Sequence, residues 1–232
     1  MDVHRSLTSR AHHHIREMVL SGELTPGTRI QIDVLREKLD MGASPIREAL
    51  SILSSEQLVV RNEQRGFWAP AISSEDFAIL LDTRCRVEAI AFADAIAQGG
   101  SAWEERIVML RYRLNSLDRT NHPDAWEIAH REFHAALISA CPSRYLLNFC
   151  AQLYDLAVRY RNVARLVAYP ERQITDEHAQ IAEAALARNA ERAVALLNDH
   201  YRKTGDFLVR KLAEQEDQGR AAGADTACRI VV

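Results

Sequence analysis

Every periodic stretch of the chain after Ser73 has the spacing of an α-helix. Apolar residues recur every three or four positions, and the breaks fall at clusters of glycine, proline and asparagine. No alternating strand pattern interrupts this part of the chain. The sequence therefore predicts an all-α domain over residues 73–213, with helices at about 75–98, 101–118, 124–140, 144–168, 171–187 and 190–213. Residues 214–232 are polar and small, and we expect a disordered tail there.

The first part of the chain, residues 1–72, has a different pattern. Three helical segments come first, and the third begins at Ser44 as N-cap with Pro45 at the first helical position. Two short apolar stretches, 58–61 and 67–70, flank a polar turn and predict a β-hairpin. Three helices followed by a two-stranded wing are typical of a winged helix-turn-helix domain. The predicted fold class is thus mainly α, with an N-terminal winged helix-turn-helix and a C-terminal helical bundle.

Composition restricts the class of protein further. The net charge of −3 excludes a globally basic nucleic-acid binder, but not a local basic face. The four cysteines form no CxxC pair, which indicates reduced thiols. No uncharged run is long enough to cross a membrane, and the residues after Met1 lack the apolar core of a signal peptide. We therefore expect a cytoplasmic protein with no membrane partner.

The third helix of a winged helix-turn-helix enters the DNA major groove with its N-terminal residues leading. Ser44, Pro45 and Arg47 occupy that position, and Arg47 suits a phosphate or a guanine. Arg65 and Gly66 lie at the tip of the hairpin, where an arginine can contact the minor groove or a phosphate. Residues 1–70 contain nine Lys or Arg and nine Asp or Glu, so a small helical domain with solvated arginines remains the alternative.

The C-terminal domain contains a candidate metal site. His130 and His134 are four residues apart and share one face of a helix. His178 and His200 lie on two later helices, and side chains on facing helices can converge in the core of a bundle. Imidazole ligands favour Zn, Ni or Cu over Mg or Ca. From spacing alone, four unrelated histidines are an equally good interpretation.

Several stretches of the N-terminal domain resemble the DNA-binding domain of GntR-family transcription regulators. They are Gly22–Ile30, the run Ser-Pro-Ile-Arg-Glu-Ala-Leu at 44–50, Leu58-Val59 and Arg65-Gly66. Two neighbouring positions depart from the family pattern, because Gly42-Ala43 stands where the family has Ser-Arg. The resemblance therefore implies an altered operator, with base reading concentrated on Arg47 and the wing.

The helical domain is similar to the effector-binding FCD domain of the FadR-type subgroup of that family. The similarity rests on Arg84-x-x-x-Glu88, Phe133-His134, Glu177-His178 and His200. It implies a divalent metal, Zn or Ni, held by His130, His134, His178 and His200, with His130 standing where the family usually has Asp. It also implies that Arg84 contacts a small carboxylate effector. At most one of Arg159 and Arg161 is expected to face that pocket, and Arg161 is the candidate.

A narrower resemblance points to the carbon-starvation-induced branch of this subgroup, the CsiR-type regulators. It rests on residues 84–103 and 131–161. It implies a repressor of a catabolic operon that responds to glutarate or a related C5 dicarboxylate. One short reading helix per chain offers few base contacts, so we further expect a homodimer on a double-stranded, pseudo-palindromic operator.

The two alternative classes of function are a metal-dependent hydrolase and a helical interaction module that does not bind DNA. A metal-dependent hydrolase of the His-Glu-x-x-His type needs a glutamate directly after the first histidine, whereas Glu132 is two residues from His130 and points to the opposite side of the helix. Four imidazoles also fill a tetrahedral zinc, which leaves no open position for a substrate. A helical interaction module that does not bind DNA would have no need of a recognition helix and wing. The sequence therefore predicts a regulator and not an enzyme.

Overall fold

The described part of the chain forms nine helices and one small three-stranded sheet. A computed structural model describes the backbone of residues 6–163 and 174–228 and the side chains of 6–162 and 175–216. Within these residues the elements are α1 (Leu7–Ser21), β1 (Arg29–Ile30), α2 (Ile32–Leu39), α3 (Ala43–Ser55), β2 (Val60–Asn62), β3 (Gly66–Trp68), α4 (Ser74–Gln98), α5 (Ser101–Asn115), α6 (Pro123–Ile138), α7 (Arg144–Val163), α8 (Ile174–Leu186) and α9 (Ala190–Cys228). The predicted mainly helical fold is confirmed.

The helical part of the N-terminal unit is built by α1, α2 and α3. The Ser6 hydroxyl caps α1 by accepting the backbone N–H of Ser9 at 3.1 Å, and Gly22 ends it in a left-handed conformation with φ 79°. The apolar faces of α1 and α3 pack together in a core that includes Ile15, Ile46 and Leu50. This face-to-face packing leaves the opposite, polar face of α3 in solvent.

The helix α3 begins two residues earlier than predicted. Ala43 is its first residue and Gly42 is the N-cap, so Ser44 and Pro45 lie inside the first turn. The Ser44 hydroxyl makes no capping hydrogen bond and lies 3.4 Å from Glu48 Oε1. Proline is tolerated there because the first-turn N–H groups have no partner within the helix.

The wing is a three-stranded antiparallel sheet in the order β1-β3-β2. The predicted hairpin pairs Val60 with Trp68 and Asn62 with Gly66. The two-residue strand β1 adds to the other edge by pairing Ile30 with Phe67, which the sequence analysis did not predict. Two residues are too few to show the alternating pattern of a strand, so β1 is recognised only by its pairing with β3.

The N-terminal compact unit also includes α7 from Asp155 onward and α9 from Leu208 onward. Arg16 Nη2 lies 2.5 Å from Asp155 Oδ2, and Asn162 Nδ2 donates to the carbonyl of Leu20 at 3.0 Å. The sequence had placed all of α7 in the second domain. The C-terminal half of that helix instead packs in the same unit as α1.

The second compact unit contains Ala78–Tyr154, all of α8, and α9 as far as Phe207. Its core combines aromatic and aliphatic side chains from all of its helices, among them Phe92, Ile107, Phe133 and Leu197. The helix bounds agree with the predicted segments, except that the predicted helical residues 164–168 and 171–173 lie outside the described residues. No helix in the described ranges has the length and apolar character needed to cross a bilayer.

The end of α9 differs from the prediction. The helix continues through residues 214–228, for which a disordered tail was expected. Alanine, glutamate, glutamine and arginine make up nine of these fifteen residues, and they are strong helix formers once a preceding helix has supplied the nucleus.

Candidate DNA-binding surface and metal centre

The N-terminal half of α3 has one buried and one exposed face. Ile46 and Leu50 are fully buried, whereas Ser44 and Arg47 are exposed one turn apart on the other side. The first-turn N–H groups of a helix attract anions through their orphan donors and the helix dipole. The structure thus places an arginine and a helix N-terminus on one solvent-facing surface, which is the arrangement that phosphate and base-edge contacts require.

The tip of the wing presents a second exposed arginine. Arg65 closes a tight turn by donating its N–H to the carbonyl of Asn62 at 3.1 Å. Gly66 follows with φ 95°, a conformation that other residues rarely adopt. Exposed Arg29 of β1 lies beside it, since a Cβ on Gly66 would be 3.7 Å from Arg29 Nη2. Sequence reasoning missed Arg29 because the pairing of β1 with β3 had no detectable signal.

Four histidines converge in the second unit. His130 and His134 come from α6, His178 from α8 and His200 from α9. One ring nitrogen of each lies within 4.8 Å of the others, and each residue is at most 5% exposed. The predicted convergence is therefore present in the structure, and the cluster can hold a metal ion. Two nitrogens on a tetrahedral zinc are about 3.4 Å apart, so binding requires only a small contraction.

The groups behind the rings determine which nitrogens face the centre. Tyr201 donates its hydroxyl proton to Glu88 Oε2 at 2.5 Å, so its oxygen accepts from His134 Nδ1–H at 3.1 Å. His200 Nδ1 lies 2.8 Å from Glu177 Oε2, which accepts its N–H. A histidine that donates from Nδ1 has a bare lone pair on Nε2, as metal ligands do.

The same arrangement holds at His130. Tyr154 donates to Glu127 Oε1 at 3.2 Å, and its oxygen lies 3.3 Å from His130 Nδ1. The Nε2 atoms of His130 and His134 lie 3.0 Å apart, which is hydrogen-bonding distance when one of them carries the proton. A metal between the two rings takes the place of that shared proton. The donor set therefore fits a divalent metal.

A cavity of about 320 Å³ lies beside the histidine cluster. It is enclosed by α6 and α7, with Glu88 of α4 in its wall. His134 is the histidine of the cluster that lines it, and the rest of the wall is mainly apolar, with Ala135, Ile138, Leu147 and Ala151. A concave, mostly apolar site with a few convergent polar groups is typical of small-molecule binding.

Arg84 lies behind this cavity wall and is 9% exposed. Its Nε donates to Glu88 Oε1 at 2.5 Å, as the i, i+4 spacing allows, and its guanidinium lies 3.9 Å from the ring centroid of Tyr201. Burial is the largest single influence and disfavours its charge, but the Glu88 carboxylate together with Tyr201 and Tyr154 outweighs burial and keeps the pKa of Arg84 above its ordinary value. Its Nη2 is buried without a hydrogen-bond partner among the described residues, which leaves a donor for an anion.

The other predicted effector residue lies elsewhere. Arg161 is absent from the described lining of the cavity and belongs to the part of α7 in the N-terminal unit. Arg159 is buried and donates to the carbonyls of Pro70 and Ala71 at 2.9 and 3.2 Å. Neither arginine of this pair is therefore brought to the cavity.

Arg131 lines the cavity instead, and sequence reasoning had assigned it no role. Its position one turn before His134 was a usable signal, because residues three apart on a helix share a face. Its neighbour Glu132 accepts from Arg113 at 2.7 Å. Arg131, and not a glutamate, directly follows His130, so the His-Glu-x-x-His pattern of a metal-dependent hydrolase is absent here.

The N-terminal helices and wing, with their exposed arginines, are those of a DNA-binding regulator. The helical domain with the buried histidine cluster is its sensor domain. Residues 7–68 match the model of the bacterial regulatory proteins, gntR family, and residues 79–203 match that of the FCD domain. The chain belongs to the GntR family and carries the FCD domain of its FadR-type members. This family consists of transcription regulators, which confirms the assignment as a regulator rather than an enzyme.

Individual relatives agree with this assignment. The chain is 36% identical over 202 residues to the uncharacterized HTH-type transcriptional regulator BphR of Paraburkholderia xenovorans strain LB400, covering 84% of this chain and 82% of that protein. It is 31% identical over 194 residues to the HTH-type transcriptional repressor GlaR of Escherichia coli strain K12, covering 80% of this chain and 88% of that protein.

Solved structures show the same fold. McbR/YncC of Escherichia coli superposes with a TM-score of 0.75 at 20% identity, covering 89% of this chain and 99% of that one. A GntR regulator from Rhodococcus sp. RHA1 superposes with a TM-score of 0.70 at 22% identity, covering 87% and 97%.

Proposed function

We propose that the protein is a repressor of a catabolic operon whose operator affinity falls when a small carboxylate binds beside a metal in the FCD domain. The observation that carries this proposal is the shared wall between the histidine cluster and the cavity, formed by His134. A metal held there has its charge exposed toward the cavity. A regulator named as a repressor is 31% identical, which supports repression as the mode of action.

The metal is zinc or nickel. All four ligands are neutral imidazoles, and these borderline ligands favour the later divalent transition metals over magnesium or calcium. His130, His134, His178 and His200 would hold the ion, with Glu177, Tyr201 and Tyr154 orienting three of the rings. The bound ion supplies a positive centre that attracts an anion.

The effector is a carboxylate, and glutarate or another C5 dicarboxylate is the first candidate. A dication with neutral ligands in a low-dielectric core attracts an anion strongly. The unpartnered Nη2 of Arg84 adds a second donor behind the same wall. The choice of a C5 acid comes from the resemblance to CsiR-type regulators, which remains a prediction.

The operator is read by α3 and the wing of a homodimer. Ser44, Pro45 and Arg47 would contact one major-groove half-site, and Arg65 and Gly66 the flanking backbone or minor groove. A single chain exposes too few such groups for high specificity, whereas two copies on a pseudo-palindrome double them. Sedimentation of the free protein and symmetry in the selected DNA sequences test this part of the proposal.

A two-step experiment tests the function as a whole. Duplexes are first selected from a random pool with the metal-loaded protein, and the selected operator is then titrated with and without 1 mM glutarate at fixed salt. We expect the operator Kd to rise about tenfold or more, because an effector shifts binding only by its differential affinity for two states. The proposal is wrong if glutarate, 2-hydroxyglutarate, succinate and citrate all leave the Kd unchanged.

A further inference from the structure

Two arginines flank one aromatic ring at the cavity. The guanidinium carbon of Arg84 lies 5.0 Å from the centroid of Tyr154, and that of Arg131 lies 4.6 Å from the same centroid. The two cations are therefore no more than about 10 Å apart. They approach the ring from different helices, α4 and α6.

The two arginines differ in burial and in partners. Arg84 is almost fully buried, and its charge is opposed by the carboxylate of Glu88. Arg131 is half-buried and lines the cavity itself, whereas Arg84 lies behind the wall. His134, which is 2% exposed, also lines the cavity. Arg131 is therefore the more solvent-accessible of the two arginines.

The wall between these charged groups is apolar. Ala135, Ile138 and Leu147 supply it, and Glu88 is neutralised by Arg84 Nε and by the hydroxyl proton of Tyr201. Such a site suits a ligand with a short hydrocarbon body and an anionic group at each end. The carboxyl carbons of an extended C5 diacid are about 5 Å apart, given C–C bonds of about 1.5 Å. Residues three apart on a helix have Cβ atoms about 5–6 Å apart, so Arg131 and His134 are separated by about the length of that molecule.

We propose that Arg131 selects dicarboxylates over monocarboxylates by binding the second carboxylate of the effector. This inference rests on the proposed function, in which the first carboxylate lies beside the metal, in the cavity that His134 lines. A guanidinium binds a carboxylate through two parallel N–H donors, which supplies direction as well as charge. Arg131 is thus the determinant of effector class, while the metal site provides affinity for any carboxylate.

Calorimetry of two matched acids tests the proposal on the metal-loaded, full-length protein. Glutarate and valerate share a five-carbon chain and differ in the second carboxylate. Wild type is expected to bind glutarate at least tenfold more tightly than valerate. Arg131→Gln should weaken glutarate binding tenfold or more and change valerate binding less than twofold, with metal content unchanged. Arg131→Lys keeps the charge but loses the bidentate geometry. Its affinity for glutarate should therefore lie between those of wild type and Arg131→Gln.

The control is Arg144→Gln, an exposed arginine outside the cavity lining that lies over the Tyr145 ring. It should retain the wild-type preference for glutarate. If Arg131→Gln also retains that preference, the role of Arg131 is wrong and the carboxylate-binding function stands. If wild type binds both acids equally, the selectivity is absent and the proposal for Arg131 is again wrong. If wild type binds neither acid, the proposed effector site is wrong as well.

Discussion

The Nε2 atoms of His130 and His134 lie 3.0 Å apart, one helical turn from each other on α6. Tyr154 and Tyr201 lie beside the opposite nitrogens of the two rings, so both Nε2 atoms point to the same buried space. A metal that binds this pair only in the folded state should therefore stabilise the bundle.

Removal of a histidine should remove the metal. His134→Ala and His178→Ala are each expected to lower bound metal from one ion per chain to less than a tenth of that, as read by native mass spectrometry. A metal that binds only the folded state stabilises the protein by about 2.7 kcal/mol when the free metal concentration is about 100 times its Kd. The melting temperature of wild type should therefore rise when metal is added, and those of the variants should not. His122→Ala, at the exposed N-cap of α6, is the matched control and should behave as wild type. Equal metal content in wild type and in a variant that carries both His134→Ala and His178→Ala would falsify the site.

Arg47 should carry specific DNA recognition. Arg47→Ala is expected to weaken binding to the selected operator by about 1–3 kcal/mol, with a smaller effect on a scrambled duplex, if the guanidinium contacts a base edge. Fluorescence anisotropy at constant salt measures both affinities. Arg36→Ala on α2, which removes an exposed arginine paired with Asp33, is the control. An equal loss on both duplexes would show a phosphate contact instead.

Gly205 should be required for helix packing and not for flexibility. A Cβ at this position of α9 would overlap a δ-methyl of Leu81 and lie 2.7 Å from the other and 3.0 Å from Cγ. The higher helix propensity of alanine adds about 1 kcal/mol to the free energy of unfolding, whereas overpacking against Leu81 lowers it by about 1–3 kcal/mol. We therefore expect Gly205→Ala to destabilise the protein in urea titrations.

The sign of that effect should reverse when the obstacle is removed. In a Leu81→Ala background the overlap with the Leu81 side chain is gone, and Gly205→Ala should stabilise the protein by up to about 1 kcal/mol. Destabilisation of similar size in both backgrounds would show that Leu81 is not the cause.

The thiol of Cys150 should make the protein less stable in alkali. Burial raises the pKa of Cys150 from 9.0 to about 12. Between these values the unfolded chain loses the thiol proton while the folded chain keeps it, so folding stability is complete below pH 9 and declines as the pH rises toward 12. This contribution amounts to about 1 kcal/mol at pH 10.

Cys150→Ala isolates this contribution, because its packing penalty is the same at every pH. The stability difference between wild type and Cys150→Ala in urea titrations should therefore narrow by about 1 kcal/mol from pH 8 to pH 10. A difference that stays constant over this range would mean that Cys150 ionises equally in both states.

Local sequence determined most of the architecture. The 3.6-residue periodicity, the glycine and proline breaks and the hairpin pattern depend on neighbouring residues only, and the helices and the wing formed where they predicted. The i, i+4 pairs Arg84–Glu88 and His130–His134 are likewise consequences of helix geometry. The start of α3 and the end of α9 were misplaced, because caps and chain ends have the weakest local signals.

Tertiary packing decided what the local patterns left open. It brought His178 and His200 to the pair on α6, and it placed Tyr154 and Tyr201 so that the two α6 rings face inward. It also assigned Arg131, rather than Arg161, to the cavity. These outcomes depend on which faces of separate helices meet, and that is set by burial of apolar surface across the whole bundle rather than by any residue's neighbours in sequence.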